Sequence, residues 1–399
     1  MTVLKRYTEG KVTFLTADVE YYTAETGQPT SDMPVFYNPR MQLNRDLSVV
    51  FLSAFMRDRD VERICEPLAG SGVRTIRYLI ECSGNFEAVM FDTNPEAVEI
   101  ARKNVAMNSL ESRASIIKGD ARVLLLNESR ERRFDFVDVD PFGTPVPFLN
   151  AAIQSMLPRK GMLALTATDM PVLCGVFPRV ALRKYGGLSI RAPFAHEIAV
   201  RLLIGRAVSI AGLNDCSMVP LASLSTDHYV RVWLRLNVSR SSANILANNM
   251  GIVEYCPDCM DVRMVPLGDL GAESVLEHRE SCVSRTRVAG PLWIGPLFDE
   301  EFLRHAVDVA GDAAHLTRRA RKIIDLMMAE QELATVPYVD LHALCDSLRL
   351  SPPPRQDVAD QLAAMGYRVS RTHFRPTAIR TDAPVKTVRA VLKRLNRET

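Results

Sequence analysis

The sequence predicts an α/β fold, with a doubly wound, mostly parallel sheet of seven strands in residues 1–240 and a smaller α+β domain in 241–399. Three observations predict it. From about Val61 short apolar runs alternate with helical stretches, glycines and carboxylates gather where those runs end, and a tight cysteine cluster lies beyond the last of them. Strand, crossover and strand in that rhythm make βαβ units.

Strands are read at Val61–Leu68, Glu87–Phe91, Ser115–Lys118, Phe134–Val139 and Gly161–Thr166. The helix read at Pro95–Asn108 has proline at its start, an early glutamate and apolar residues at helical spacing. Ser217–Ser225 and Tyr229–Leu236 alternate apolar and polar residues about the short turn Thr226-Asp227-His228, a hairpin that completes the seven strands. Asn237–Asn249 is poor in large apolar residues and marks the boundary. Beyond it the reading gives a cysteine-containing module at 256–282, helices within Asp299–Leu333, Val339–Leu348 and Arg355–Met365, a strand in the stretch Gly366–Phe374, and a last helix.

Composition bounds the function. With 399 residues, 47% hydrophobic and 24% charged, the chain is globular and long enough for two or three domains. No run approaches the roughly 20 apolar residues of a membrane span. The first 22 residues lack the apolar block of a signal peptide, so a cytoplasmic address is expected, and a monomer. A net charge of +2 means that a nucleic-acid partner would be held by local basic patches. Eight cysteines, scattered but for one cluster, argue against a disulfide framework.

The first strand runs into Glu66-Pro67-Leu68-Ala69-Gly70-Ser71-Gly72-Val73-Arg74, a Gly-x-Gly turn that opens a helix. Glycines let backbone approach a ligand, and the helix start offers free N–H groups. Asp92 ends the next strand, where a carboxylate can accept from both ribose hydroxyls of a nucleoside. Asp120, followed by Ala121, ends the third, where a carboxylate and an N–H can read an adenine edge. Either aspartate can instead cap a helix. A dinucleotide enzyme would use a similar unit, but Thr75 stands where its fingerprint has a third glycine.

The fourth strand ends in Asp138-Val139-Asp140-Pro141-Phe142-Gly143. An exocyclic amine, its lone pair delocalised into a base, attacks a methyl donor only if an acceptor localises that pair and takes the proton. Asp140 and the Pro141 carbonyl supply acceptors, and Phe142 can stack on the base. The bland alternative, a turn with a core aromatic, stays open at this point.

The Asp-Pro-Phe-Gly motif, together with Phe36-Tyr37-Asn38-Pro39, Asn44-Arg45-Asp46, Pro291–Leu297, His373–Pro376 and Thr381–Pro384, resembles the tRNA (guanine-26, N2)-dimethyltransferase family from end to end. The resemblance implies a class I S-adenosylmethionine-dependent methyltransferase with a Rossmann-like sheet and a C-terminal tRNA-binding domain. It implies that Arg45 contacts the cofactor carboxylate, that Phe36 and Phe142 sandwich guanine, and that Asp140 acts on its amino group. The target guanine must then leave its stack. Alternatives are N2 methylation at another tRNA position, methylation of adenine or protein amines, and a non-catalytic RNA-binding protein with a relict cofactor fold.

Cys256-Pro257-Asp258-Cys259 with His278 and Cys282 has the spacing of a closed, structural zinc site. Arg355–Thr399 holds ten Lys or Arg against four Asp or Glu, and Arg318, Arg319, Arg321 and Lys322 cluster earlier. Interleaved with Tyr367, His373 and Phe374, these suit a phosphate-tracking surface, although a solvated helix face reads the same way.

Overall fold

The computed structural model describes residues 2–24, 27, 29–158, 161–269, 282–334 and 336–398. Two compact units divide it, one of Met1–Thr166, Trp233–Val238 and Glu301–Ile324, the other of Ala167–Val232, Ser239–Glu300 and Asp325–Thr399.

The chain begins with strands β1 (Leu4–Glu9) and β2 (Val12–Ala17) and helices α1 (Val19–Thr23) and α2 (Gln42–Phe55). Then β3 (Arg63–Glu66), β4 (Glu87–Asp92), β5 (Ala114–Lys118), β6 (Phe136–Val139) and β7 (Met162–Ala167) alternate with α3 (Val73–Glu81), α4 (Pro95–Met107), α5 (Ala121–Glu131) and α6 (Leu149–Ser155). Helices α7 (Met170–Leu173), α8 (Pro178–Tyr185) and α9 (Ala195–Gly212) lead to the hairpin β8 (Cys216–Thr226) and β9 (Tyr229–Val238). The seven-stranded sheet has the order β5-β4-β3-β6-β7-β9-β8, and β3 to β7 pair in parallel. From β3 the chain winds outward through β4 and β5, then returns to β6 on the other side. This reversal between β3 and β6 opens a crevice at their carboxyl ends, the place where such sheets bind ligands.

The remainder comprises α10 (Arg240–Ala247), β10 (Met250–Tyr255), β11 (Val262–Pro266), β12 (Arg287–Trp293), α11 (Glu300–Asp312), α12 (Arg318–Glu330), β13 (Val339–Asp340), α13 (Leu341–Leu348), α14 (Arg355–Ala364), β14 (Val369–Arg371), β15 (Ala378–Thr381) and α15 (Val385–Glu398). It carries two three-stranded sheets, β11-β10-β12 and β13-β15-β14.

Three elements differ from the sequence reading. The first strand of the large sheet is four residues long, because Pro67 cannot donate to the ladder and the chain turns there. Only three residues of Gly366–Phe374 form a strand, since Thr372 and His373 are drawn onto the buried Glu330. Asp340 closes a two-residue strand and caps α13 by accepting from the His342 and Ala343 N–H groups. The β1–β2 hairpin and the β11-β10-β12 sheet escaped the pattern reading altogether. No described helix is long and apolar enough to cross a membrane.

Candidate active site

The three strand ends singled out by sequence are tied together within the first unit. Glycine is required at both positions of the turn after β3. Gly70 (φ +54°) and Gly72 (φ +76°) are left-handed, and a Cβ on Gly72 would meet Met90 Sδ at 3.1 Å. Asp92 holds this turn, its carboxylate accepting from the Gly70 N–H at 2.8 Å and from the Asn94 N–H at 2.8 Å. The Asp92 carbonyl accepts from Gly119 N–H at 3.0 Å, which joins the end of β4 to that of β5. Asp120 caps α5, whose first residue is Ala121, and is exposed enough that Arg122 pairs with it at 2.6 Å. Asp120 therefore caps a helix as well as standing at a strand end, whereas Asp92 braces the glycine turn and leaves the cap of α4 to Asn94.

Arg74 is the hub. Fully buried on α3, it donates to Asn44 Oδ1 at 2.7 Å and Ser48 Oγ at 3.0 Å, both from α2. It also pairs with Glu66 at 3.4 Å, with Asp138 at 3.5 Å, and with Asp140. Tyr78 donates to Asp138 at 2.5 Å, and Thr75 gives Glu66 both its N–H and its hydroxyl. Three carboxylates thus share one guanidinium. Burial pushes the Glu66 carboxyl up to about 7 against the pull of Arg74, and Asp138 and Asp140 add to the rise. Asp140 keeps a side chain 16% exposed, so one end of the cluster opens to solvent.

Beyond Asp140 and the half-buried Pro141, the Phe142 ring stands 57% exposed at the turn, edge to face with Phe36 at 4.5 Å between centroids. An exposed phenylalanine set edge to face against a second aromatic offers a surface on which a planar ring can pack. The Phe36 carbonyl lies 3.4 Å from where a Gly70 Cβ would be, so the aromatic pair adjoins the glycine turn.

Arg45 forms a bidentate pair in which the carboxylate is that of Glu9, at 2.6 Å from Nε and 2.6 Å from Nη2, and it lies over the Tyr37 ring. Arg77 joins Glu9, Asp46 and Glu81 at 2.8 to 2.9 Å. Burial alone would raise the Glu9 carboxyl, but Arg45 and Arg77 hold it down at about 2. Glu9, Asn44, Ser48, Arg77 and Asp138 were not singled out by sequence. Asn44, beside Arg45 in the Asn-Arg-Asp run, and Asp138, two residues before Asp140 on the fourth strand, lay within motifs read for their neighbours.

In the second unit the sulfurs of Cys256, Cys259 and Cys282 lie within 4.8 Å of one another, a cluster that can hold a metal ion. Asp258 braces it by accepting from the Val283 N–H and from the Ser284 N–H and hydroxyl. His278, the fourth ligand expected, lies outside the described residues.

The basic C-terminal stretch is less available to RNA than its composition suggests. Arg380 and Arg389 are buried, Arg368 and Arg375 pair with Asp382 and Asp340, and Arg355 donates to the Pro376 carbonyl. The His373 side chain is sealed against Glu330, and Phe374 stacks on Tyr338. Exposed cations remain at Arg371, Lys386, Lys393, Arg394 and Arg397.

A family model described as N2,N2-dimethylguanosine tRNA methyltransferase matches residues 10–393. The tRNA (guanine(26)-N(2))-dimethyltransferase of Methanothermobacter thermautotrophicus is 37% identical over 388 residues, 96% of this chain and 97% of that protein. In Aquifex aeolicus a relative named for guanine 26 and guanine 27 is 34% identical, over 92% of this chain and 91% of its own. Trm1 from Pyrococcus horikoshii, solved with S-adenosyl-L-methionine, superimposes with a TM-score of 0.81 at 29% identity, over 97% of this chain and 99% of that one.

Proposed function

Because this chain belongs to the N2,N2-dimethylguanosine tRNA methyltransferase family, we propose that it is a cytoplasmic enzyme of tRNA processing that methylates the exocyclic N2 of guanine 26. The observation that carries the reading is the Asp140-Pro141-Phe142 corner at the carboxyl end of β6, with Arg74 on the carboxylate and Phe36 against the ring.

The residues present fit S-adenosylmethionine. Three carboxylates against one guanidinium leave the cluster short of positive charge, which suits a sulfonium. Glu66, Gly70, Gly72, Arg74 and Arg45 would hold the amino-acid end, Asp92 the ribose, and Asp120 with the Ala121 N–H the adenine. When bound, S-adenosylmethionine supplies an electrophilic methyl group on sulfur. Asp140 and the Pro141 carbonyl accept hydrogen bonds from the guanine amine, localise its lone pair, and Asp140 takes the proton that leaves. Phe36 and Phe142 part to admit the flipped base between them. Residues 1–240 carry this chemistry and 241–399 bind tRNA, with a structural zinc on Cys256, Cys259, Cys282 and His278.

A second reading, N2 methylation at a neighbouring tRNA position, is favoured by the Aquifex relative's name. One assay tests both. Unmodified tRNA is incubated with labelled S-adenosylmethionine, digested, and the modified nucleoside identified and mapped. Methylguanosine at 26 is expected; none, with cofactor binding intact, sinks the proposal.

A further inference from the structure

Residues 170–196 hold no Asp or Glu, and within them stand Arg179, Arg183, Lys184 and Arg191. The acids that bracket this stretch are both engaged internally. Asp169 accepts from Tyr185 and pairs with Lys184, and Glu197 is buried on Arg201 and Arg380. Arg179 and Arg183 form no ion pair among the described residues, and they sit one helical turn apart on α8.

The same stretch exposes apolar side chains. Val176, Phe177, Leu182 and Leu188 are 37% to 53% exposed. Helix α8 buries Ala181 and Tyr185, so Leu182 shares the outer face with the two arginines, and Phe177 stands just ahead of its first turn. A helix face turned only toward water mixes charges of both signs and carries few large apolar groups. This one carries cations and apolar groups alone. Its geometry is also fixed: Gly175 (φ +88°) is pressed so closely on the 190–191 backbone that a Cβ would fall 2.2 Å from the Ile190 carbonyl carbon.

We propose that residues 176–191 form an RNA-contact surface, with Arg179 and Arg183 on phosphates and Phe177 stacked on a base. The proposal rests on tRNA being the substrate. Cations without acidic neighbours complement a polyanion, and an exposed aromatic among them is how single-stranded or splayed bases are held. Two turns of helix offer too little apolar face to anchor on a lipid surface. In the chain this surface follows directly on β7, the strand paired with β6, and it lies outside the C-terminal basic stretch.

The test measures binding of unmodified tRNA over a salt series for the full-length protein, for the double variant Arg179→Ala, Arg183→Ala, and for Phe177→Ala. Melting temperature and S-adenosylmethionine affinity are recorded alongside. The double variant should weaken tRNA binding about tenfold and flatten the log affinity against log salt slope by about 1.5, two contacts at roughly 0.7 to 0.9 each. Phe177→Ala should weaken it by about tenfold with the slope unchanged. The conservative double variant Arg179→Lys, Arg183→Lys should keep the parent's slope. Variants that bind tRNA as the parent does, or that lose affinity only as far as they lose melting temperature, would overturn the proposal. So would parent protein that binds vesicles rich in anionic phospholipid through these residues while tRNA binding ignores them. If the parent neither binds tRNA nor makes methylguanosine, it is the functional reading that has failed, and this surface with it.

Discussion

Both units bury clusters built on arginine, and the one around Arg74 in the first is balanced differently from the one around Arg380 in the second. In the second unit Arg201 and Arg380 face Glu197 and Glu330, with His373 Nδ1 2.5 Å from Glu330 and Thr372 donating to the same carboxylate. Burial would raise the Glu330 carboxyl, but Arg380 and His373 overcome it and hold it at about 2. Charge is matched and sealed. In the first unit three carboxylates share Arg74, Glu66 is raised to about 7, and Asp140 reaches partial exposure. Perturbed, incompletely balanced buried charge is concentrated at functional sites, so under the proposed function the mismatched cluster is the one assigned to chemistry and the matched one to scaffold.

The largest expected effect is at the open end. Asp140→Ala should lower kcat for tRNA methylation by about 10²- to 10⁴-fold while calorimetry shows cofactor affinity within a few-fold of the parent. Turnover near the parent's would remove Asp140 as acceptor and with it the functional half of the contrast. The matched cluster should answer in stability instead. Glu330→Gln leaves His373 without its charge partner and Arg380 with Glu197 alone, and unfolding in denaturant should show a loss of roughly 3 to 5 kcal/mol, with kcat of the folded fraction unchanged.

What the sequence made legible follows the same divide between local and distant signals. Gly70, Gly72, Asp92, Asp120 and the Asp140-Pro141-Phe142 corner announce themselves, because turn chemistry and strand ends are written in neighbouring residues. The partners of Arg74 are not: Asn44 and Ser48 lie 30 and 26 positions away on another helix, and Asp140 lies 66 away. Glu9 is 36 residues from the Arg45 it grips. Composition misled where burial decides, since Arg380 and Arg389 count as basic residues in a tally yet face the interior. Cys256, Cys259 and Cys282 were all readable from spacing, and the fold brings their sulfurs within 4.8 Å of one another.

A third effect separates the clusters by pH. Glu66 keeps its proton in the folded state up to about 7, whereas the unfolded chain loses it near 4.5. The folded state therefore binds more protons across that window, and the stability Glu66 contributes at low pH is lost as pH rises through it, on the order of 3 kcal/mol at most. Glu330 has the opposite sign: its contribution is present above 4.5 and lost as pH falls toward about 2. Glu66→Gln should remove the decline between pH 4.5 and 7 in thermal unfolding. Cofactor affinity should rise with pH through the same window in the parent, because a cation favours ionised Glu66, and stay flat in the variant. Equal slopes in both proteins would assign the proton elsewhere.

The smallest effect is the sharpest comparison, because it removes one hydroxyl from each cluster. Tyr78 donates to Asp138 at 2.5 Å and Thr372 to Glu330 at 2.6 Å, both to buried carboxylates. Tyr78→Phe and Thr372→Val should each cost about 1.5 to 3 kcal/mol of stability, the range of a hydrogen bond to a charged group. Their effects on turnover should differ. Without the Tyr78 hydroxyl, Asp138 draws more strongly on Arg74, which it already meets at 3.5 Å, and so competes with Asp140 for the same guanidinium. Tyr78→Phe should therefore lower kcat a few-fold and shift its pH profile, while KM for tRNA holds. Thr372→Val has no such route, since Glu330 keeps Arg380 and His373, and its kcat should match the parent's. If both variants leave kcat and its pH dependence untouched, Arg74 does not divide itself between Asp138 and Asp140 during catalysis, and its cluster is scaffold as the Arg380 cluster is.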